Sequence, residues 1–269
     1  MKHWSRELRV APGSKIKLAH IDPADTHGLE KAAATEVLEK NRERLGVLQY
    51  QLYAEARRAV LVVLQGIDAA GKDGTIRHVM TGLNPQGVSV TAFKEPEGAE
   101  KRHDYLWRVH HAVPEWGKIG IFNRSHYEDV LVVRVHGLVP KSQWSERYQQ
   151  INHFEHMLSD CGVHIVKCML YIDKKEQARR LRLRLEDPTR NWKFSAADVK
   201  EREYWDQYID AYEDVLRKCS TKWAPWYVVP ANHKWFRNYA VSQIVLETLE
   251  GLHLQYPKPT ADLSAIHFE

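Results

Sequence analysis

AVLVVLQGIDAAGKDGT, residues 59–75, decides how the rest of the chain is read. Its opening run, AVLVVL (59–64), is continuously apolar and rich in β-branched residues. That is the pattern of a strand buried on both faces inside a parallel sheet. The run passes straight into Gly66-Ile67-Asp68-Ala69-Ala70-Gly71-Lys72, a G-x-x-x-x-G-K phosphate-loop pattern. Such a loop wraps a phosphate with inward-pointing backbone N–H groups, while the next helix adds its positive N-terminus and the lysine a mobile cation. Gly66, Ala69, Ala70, Gly71, Lys72, Asp73, Gly74 and Thr75 are therefore the expected phosphate contacts. A plain glycine-rich turn with a surface lysine would satisfy the same letters. The buried strand before it and the helix after it favour the phosphate site.

The loop departs from the usual pattern after Lys72, where Asp73 stands in place of the Ser or Thr that ligates Mg²⁺. Asp68 adds a second carboxylate inside the loop. A carboxylate close to phosphates is repelled unless a divalent cation bridges them. Asp68 is thus either a metal ligand or a turn cap pointing away, and the phosphates' need for a counter-ion favours the ligand. Asp73 is left ambiguous, because an acidic side chain one step into a helix also favours the helix N-terminus.

Working outward, further strands are expected at VSVTAF (88–93), IGIF (119–122), VHIVKCMLYI (163–172) and WYVV (226–229). Helical segments separate them, at about 29–58, 72–81, 98–112, 141–160, 197–218 and 235–251. This alternation reads as βαβ units and predicts an α/β fold, a parallel sheet of about five strands flanked by helices. Residues 1–28 read as an extended lead-in, 29–258 as one domain and 259–269 as a tail.

The third strand ends at Asn123-Arg124-Ser125-His126-Tyr127-Glu128-Asp129. Ligands of open α/β sheets bind beyond the carboxyl ends of the strands, so this cluster should face the phosphate loop. Arg124 is the expected clamp on a transferring phosphoryl group, Ser125 a phosphate contact, and Glu128 or Asp129 a holder of Mg²⁺ or of a nucleophile.

Charge is just as localised. The chain carries 39 basic and 35 acidic residues, a net +4. Residues 174–193 alone hold eight basic and three acidic side chains, +5, against 31 basic and 32 acidic elsewhere. On a helix over KKEQARRLRLRLEDP, Leu181 and Leu185 would anchor one face and expose a row of guanidiniums including Arg180 and Arg184. Following the fourth strand, this segment is expected as a lid near 174–200, with Lys193 among the phosphate contacts.

At 269 residues, 43% hydrophobic and 28% charged, the composition is that of a globular protein and excludes disordered or collagen-like chains. No apolar run approaches the ~20 residues of a membrane span, and the N-terminal MKHWSRELRV lacks a secretory core. Three scattered cysteines argue against disulfides or a zinc ribbon and fit a reducing cytoplasm. No RNA-binding pattern accompanies the basic charge. The histidines of HFEH (153–156) read as a helix face rather than a metal pair.

These strings coincide with a family. LVVLQGIDAAGKDGTI (61–76), DYLWRVHHAVP (104–114), IFNRSHYEDVLVVRV (121–135), EQARRLRLRLEDP (176–188), WKFSAAD (192–198) and APWYVVPANHKWFRN (224–238) make the chain resemble the family-2 polyphosphate kinases, a branch of P-loop kinases. The resemblance implies reversible phosphoryl transfer between inorganic polyphosphate and nucleotides (AMP, ADP, ATP) with Mg²⁺, for which Mn²⁺ can substitute, by a homo-oligomer, dimer or tetramer. Other branches look like F-D-R-S-x-Y-N; here Asn123 replaces the aspartate and Glu128 the asparagine, which is similar to the class III enzymes acting on mono- and diphosphates. With Asn123 in that place, Asp129 becomes the candidate second metal ligand beside Asp68. Asp68, Lys72, Asn123, Arg124, Glu128 and Asp129 are then the expected catalytic set. The alternatives are an ATP-dependent kinase and a non-catalytic nucleotide- or polyphosphate-binding protein.

Overall fold

Five parallel strands form the sheet at the centre of the computed structural model, which describes residues 4–266. They are β1 (Ala59–Gln65), β2 (Val88–Ala92), β3 (Ile119–Asn123), β4 (Val163–Tyr171) and β5 (Trp226–Pro230), in the spatial order β2-β3-β1-β4-β5. All four pairings are parallel, and β1 is the middle strand, registered Val60 to Ile119 on one side and Ala59 to Val163 on the other. Every residue of β1 is buried, which is why its sequence shows no alternation.

Each face of the sheet is covered by helices. Val60, Val62 and Leu64 of β1 pack with Leu45, Leu48 and Leu52 of α1 (Lys31–Glu55) and with residues 236–249 of the last helix. Leu61 and Val63 pack against residues from the segments 148–158 and 211–219 on the opposite face. The remaining helices are α2 (Lys72–Val79), α3 (Trp107–Ala112), α4 (Arg147–Asp160), α5 (Lys174–Glu186), α6 (Ala196–Glu201), α7 (Trp205–Cys219) and α8 (Lys234–Glu250), with shorter helical turns between them.

Where the structure departs from the expected helices, side-chain caps explain part of it. Residues 98–112 break into a 3₁₀ turn at Gly98–Arg102 and α3, with Asp104 accepting from the Leu106 N–H at 2.9 Å in the turn between them. Residues 197–218 divide into α6, a 3₁₀ turn and α7, and Ser195 caps α6 through the Ala197 N–H. The expected lead-in also does structural work. Val10 donates to the Trp226 carbonyl at 2.9 Å, the Ser220 hydroxyl donates to the Val10 carbonyl, and Leu18 is fully buried.

The topology opens a crevice between the ends of β1 and β3. After β1 the chain crosses to β2 on one side; after β3 it crosses back to β4 on the other. Loops leaving the carboxyl ends of adjacent strands that part in this way flank a ligand site. Here they are Gly66–Gly71 and Arg124–Asp129.

Candidate phosphoryl-transfer site

Every carbonyl from Gly66 to Gly71 is engaged by the protein. Lys72 Nζ donates to the Gly66 carbonyl at 2.7 Å, and the Ala70 N–H to that of Ile67 at 3.0 Å. Gln177 on α5 donates to Asp68 at 3.1 Å. Arg180 Nη1 reaches Ala69 and Ala70 at 3.0 and 2.8 Å, Arg237 also donates to Ala70, and Thr75 donates to Gly71. By contrast, the N–H groups of Ile67, Asp68, Ala69, Gly71 and Lys72 have no protein acceptor among the described residues. Left-handed backbone at Ala69 (φ 65°) and Gly71 (φ 105°) breaks the run between β1 and α2. Backbone donors without partners at a helix N-terminus form an anion site.

Across the crevice, Arg124 is also left-handed (φ 62°), and its N–H donates to the Leu64 carbonyl at 3.0 Å, tying the start of the β3 loop to the end of β1. A non-glycine residue held there stores strain that surrounding contacts must overcome, which is common at functional sites. Its guanidinium meets Asp68 at 2.6 Å and Glu128 at 3.9 Å. Burial, and then neighbouring Arg124, pull the Lys72 ammonium below its ordinary value against Asp68, Glu128 and Asp73. Asn123 donates to Asp73 at 2.7 Å, and Lys193 reaches the other oxygen of that carboxylate at 3.2 Å. Lys193 thus ties the lid to the first turn of α2. Burial pushes Asp73 up, but these two hydrogen bonds bring its carboxyl below the usual range.

Some expected contacts are placed elsewhere. Arg180 is buried, not exposed: besides the loop carbonyls it holds those of Ala231 and Asn232 and pairs with Glu176 at 2.7 Å. Leu181 anchors the helix as expected, whereas Leu185 is 55% exposed, because the buried face runs through Gln177, Arg180 and Leu181. Arg184 sits in the lid, pairing with Asp198 at 3.2 Å. Ser125 and Thr75 are buried with their hydroxyls committed, Ser125 as cap for the Tyr127 N–H and Thr75 to the Gly71 carbonyl. Asp129, the candidate second ligand, pairs with Arg147 at 2.8 Å rather than standing with Asp68. Burial pushes its carboxyl up to about 6 despite Arg147 and Arg108.

The structure adds residues that the sequence reading missed: Gln177 and Arg237 at the loop, and Asp198 in the lid. Burial and nearby Asp68 push Asp198 up against the opposing pull of Arg184 and Arg124, so the lid carboxylate belongs to the same electrostatic cluster. It missed too the buried pair Glu155–Lys167 at 2.5 Å, which holds the Tyr127 hydroxyl beneath the β3 loop. A lysine inside the apolar β4 run was the one visible signal. Among the described residues no three His, Cys, Asp or Glu side chains cluster as a metal cage, and no helix is long and apolar enough to cross a membrane.

Comparison with known proteins identifies the family. The model of the family Polyphosphate kinase 2 (PPK2) matches residues 28–257. The chain belongs to the polyphosphate kinase 2 family. It is 53% identical to an AMP/ADP-polyphosphate phosphotransferase of Meiothermus ruber, over 94% of this chain and 96% of that one. It is 46% identical to an ADP-polyphosphate phosphotransferase of Rhodopseudomonas palustris, over 97% and 94%. The crystal structure of polyphosphate kinase 2 from Arthrobacter aurescens superposes with a TM-score of 0.94 at 46% identity, over 97% of this chain and 94% of that one. Family membership extends the resemblance of separate strings to one fold spanning loop, lid and β3 cluster.

Proposed function

We propose that the chain transfers the terminal phosphoryl group of inorganic polyphosphate to AMP and ADP, reversibly. The observation that carries this reading is the crevice itself. A loop with its carbonyls tied back and its N–H groups free faces Arg124 at contact distance of Asp68, under a lid whose Lys193 reaches α2. The names of the relatives at 53% and 46% identity supply the donor and the acceptors.

In this reading the donor's terminal phosphate lies on the free N–H groups, with Lys72 leaving the Gly66 carbonyl to meet it. Arg124 turns from Asp68 to the transferring group, and AMP or ADP approaches in line from the β3 side. Phosphoryl transfer needs alignment and charge neutralisation rather than a protein nucleophile. Lys193 and Arg184 accompany the polymer along the lid. A Mg²⁺ ion fits the donor set as kinase sites hold it, through one or two carboxylates and substrate phosphates. Asp68, with Glu128 beside it on the same guanidinium, would hold the ion. The ion, or Mn²⁺ in its place, would offset the repulsion between these carboxylates and the phosphates. The reading extends to a cytoplasmic homo-oligomer, dimer or tetramer, whose mass light scattering measures.

The test is product analysis of AMP incubated with polyphosphate and Mg²⁺ as sole additions, scoring ADP and ATP separately. Both nucleotides should form. Product with ATP as donor and none with polyphosphate would instead identify an ATP-dependent kinase, and binding without product a non-catalytic role.

A further inference from the structure

Arg237, in the first turn of α8, is a buried cation without a counter-ion. It is 2% exposed, and no carboxylate lies within ion-pair distance of it among the described residues. Its Nη1 donates to the Ala70 carbonyl at 3.1 Å, and its Nε and Nη2 donate to Asn238 Oδ1 at 3.2 and 2.8 Å. Arg180 shares the Ala70 carbonyl but is neutralised by Glu176. Burial, and then Arg180, bring the Arg237 guanidinium down to about 9, so it stays charged at neutral pH.

Its position is as specific as its lack of a partner. The guanidinium fills the space beneath the two glycines that open α2: a Cβ at Gly71 would overlap Nη1, and one at Gly74 would come within 3.3 Å of Nη2. Gly71 belongs to the run of loop residues whose N–H groups have no protein acceptor among the described residues, and Gly74 follows in the first turn of α2. A buried charge left unpaired is strongly unfavourable unless something meets its field.

We propose that Arg237 is a positioning residue that applies an unneutralised positive charge through the floor of the phosphate loop, and that its counter-ion is the polyphosphate donor. The inference deepens the function proposed above and rests on it. Arg237 does not touch the donor; it holds the Ala70 carbonyl away from the crevice and raises the potential over the loop's N–H groups. Buried beneath the loop, its charge is screened by salt much less than that of exposed Lys193.

Asn238→Asp tests this without removing a single atom of Arg237. It places a carboxylate on the nitrogens that already donate to Asn238, neutralising the charge where it stands while keeping the packing. The expected result is at least a tenfold rise in polyphosphate KM and a comparable loss of tripolyphosphate affinity by titration calorimetry without acceptor. AMP KM should stay within twofold and Tm should not fall, an outcome that a merely structural role for Arg237 does not produce. Arg237→Lys, which keeps the charge, should lie closer to the parent in donor KM than Arg237→Met. The inference is overturned if Asn238→Asp keeps the parent's donor KM and tripolyphosphate affinity, or if donor and AMP KM rise together. The unmodified protein, run alongside, separates the two failures. If it forms no ADP from AMP and polyphosphate, the proposed function fails. If it does and Asn238→Asp matches it, only the role of Arg237 fails.

Discussion

Replacing Glu155 by leucine should destabilise the protein severely and disturb the catalytic loop at the same time. Glu155 and Lys167 are wholly buried. The carboxylate accepts from Lys167 Nζ at 2.5 Å, the Tyr127 hydroxyl at 2.9 Å and His126 Nε2 at 3.1 Å. Burial alone pushes the Glu155 carboxyl up, but Lys167 and His126 hold it below its ordinary value, while burial pulls the Lys167 ammonium down against the opposing pull of Glu155. Without the carboxylate, Lys167 keeps only the Tyr127 hydroxyl and the Cys219 carbonyl, each at 2.8 Å. Breaking a buried pair this way costs about 3–5 kcal/mol, and leucine fills most of the volume, so little is added for a cavity. At about 2–4 °C per kcal/mol for a chain of this size, Tm should fall by roughly 6–20 °C. Urea unfolding of Glu155→Leu, Lys167→Met and the double variant measures this. Because an apolar pair can replace a buried ion pair at little cost, the double variant should be less destabilised than the two losses added. Additivity within about 0.5 kcal/mol would refute the reasoning. Since only Ser125 separates Arg124 from His126 and Tyr127, kcat of the single variants should also fall when measured at temperatures well below their Tm.

Arg124→Ala and Lys72→Ala should each lower kcat by about 10³-fold or more, the scale of arginines that neutralise a transferring phosphoryl group; initial rates near those of the parent would contradict the assignment. Glu128→Asn should reduce the AMP rate more than the ADP rate in parallel assays, on the proposal that this carboxylate orders water or metal in the place of a diphosphate's terminal group; unchanged AMP turnover would dismiss that role. Burial raises Asp214, but Arg217, Arg134 and Lys218 bring it from 3.8 to about 2. A depressed carboxyl stabilises the fold above its unfolded pKa and loses that contribution as pH falls through the folded one. The Tm deficit of Asp214→Asn should therefore be full above pH 4 and shrink between about pH 4 and 2; a deficit independent of pH would contradict the ion pairing.

Much of the fold was legible because two signals are local. The unalternating AVLVVL run requires burial on both faces, and G-x-x-x-x-G-K requires a turn into a helix. All five strands lie where their apolar runs are. Helix boundaries were less legible, since a turn around Asp104 interrupts one expected helix and the single Ser195 cap starts another. Asp68, Lys72, Asn123, Arg124 and Glu128 do meet in one crevice, as strand-end positions suggested. Arg180 was misread because spacing says which residues share a helix face but not which face the core takes. Asp129 was misread because Arg147, eighteen positions away, competes for it.

The amino-acid sequence alone determined where a phosphate site is to be sought, since G-x-x-x-x-G-K between a buried strand and a helix gathers backbone N–H groups and a lysine at one turn. It also determined the sign of the partner, through twenty residues holding the whole positive excess. The tertiary structure decided which of those charges remain available. Arg180 is spent on Glu176 and four carbonyls, Arg184 faces Asp198, and Arg237, from far along the chain, is left beneath the loop with no carboxylate partner among the described residues. Charge is a property of residues, but whether it is neutralised depends on which acceptors the fold brings within hydrogen-bond distance.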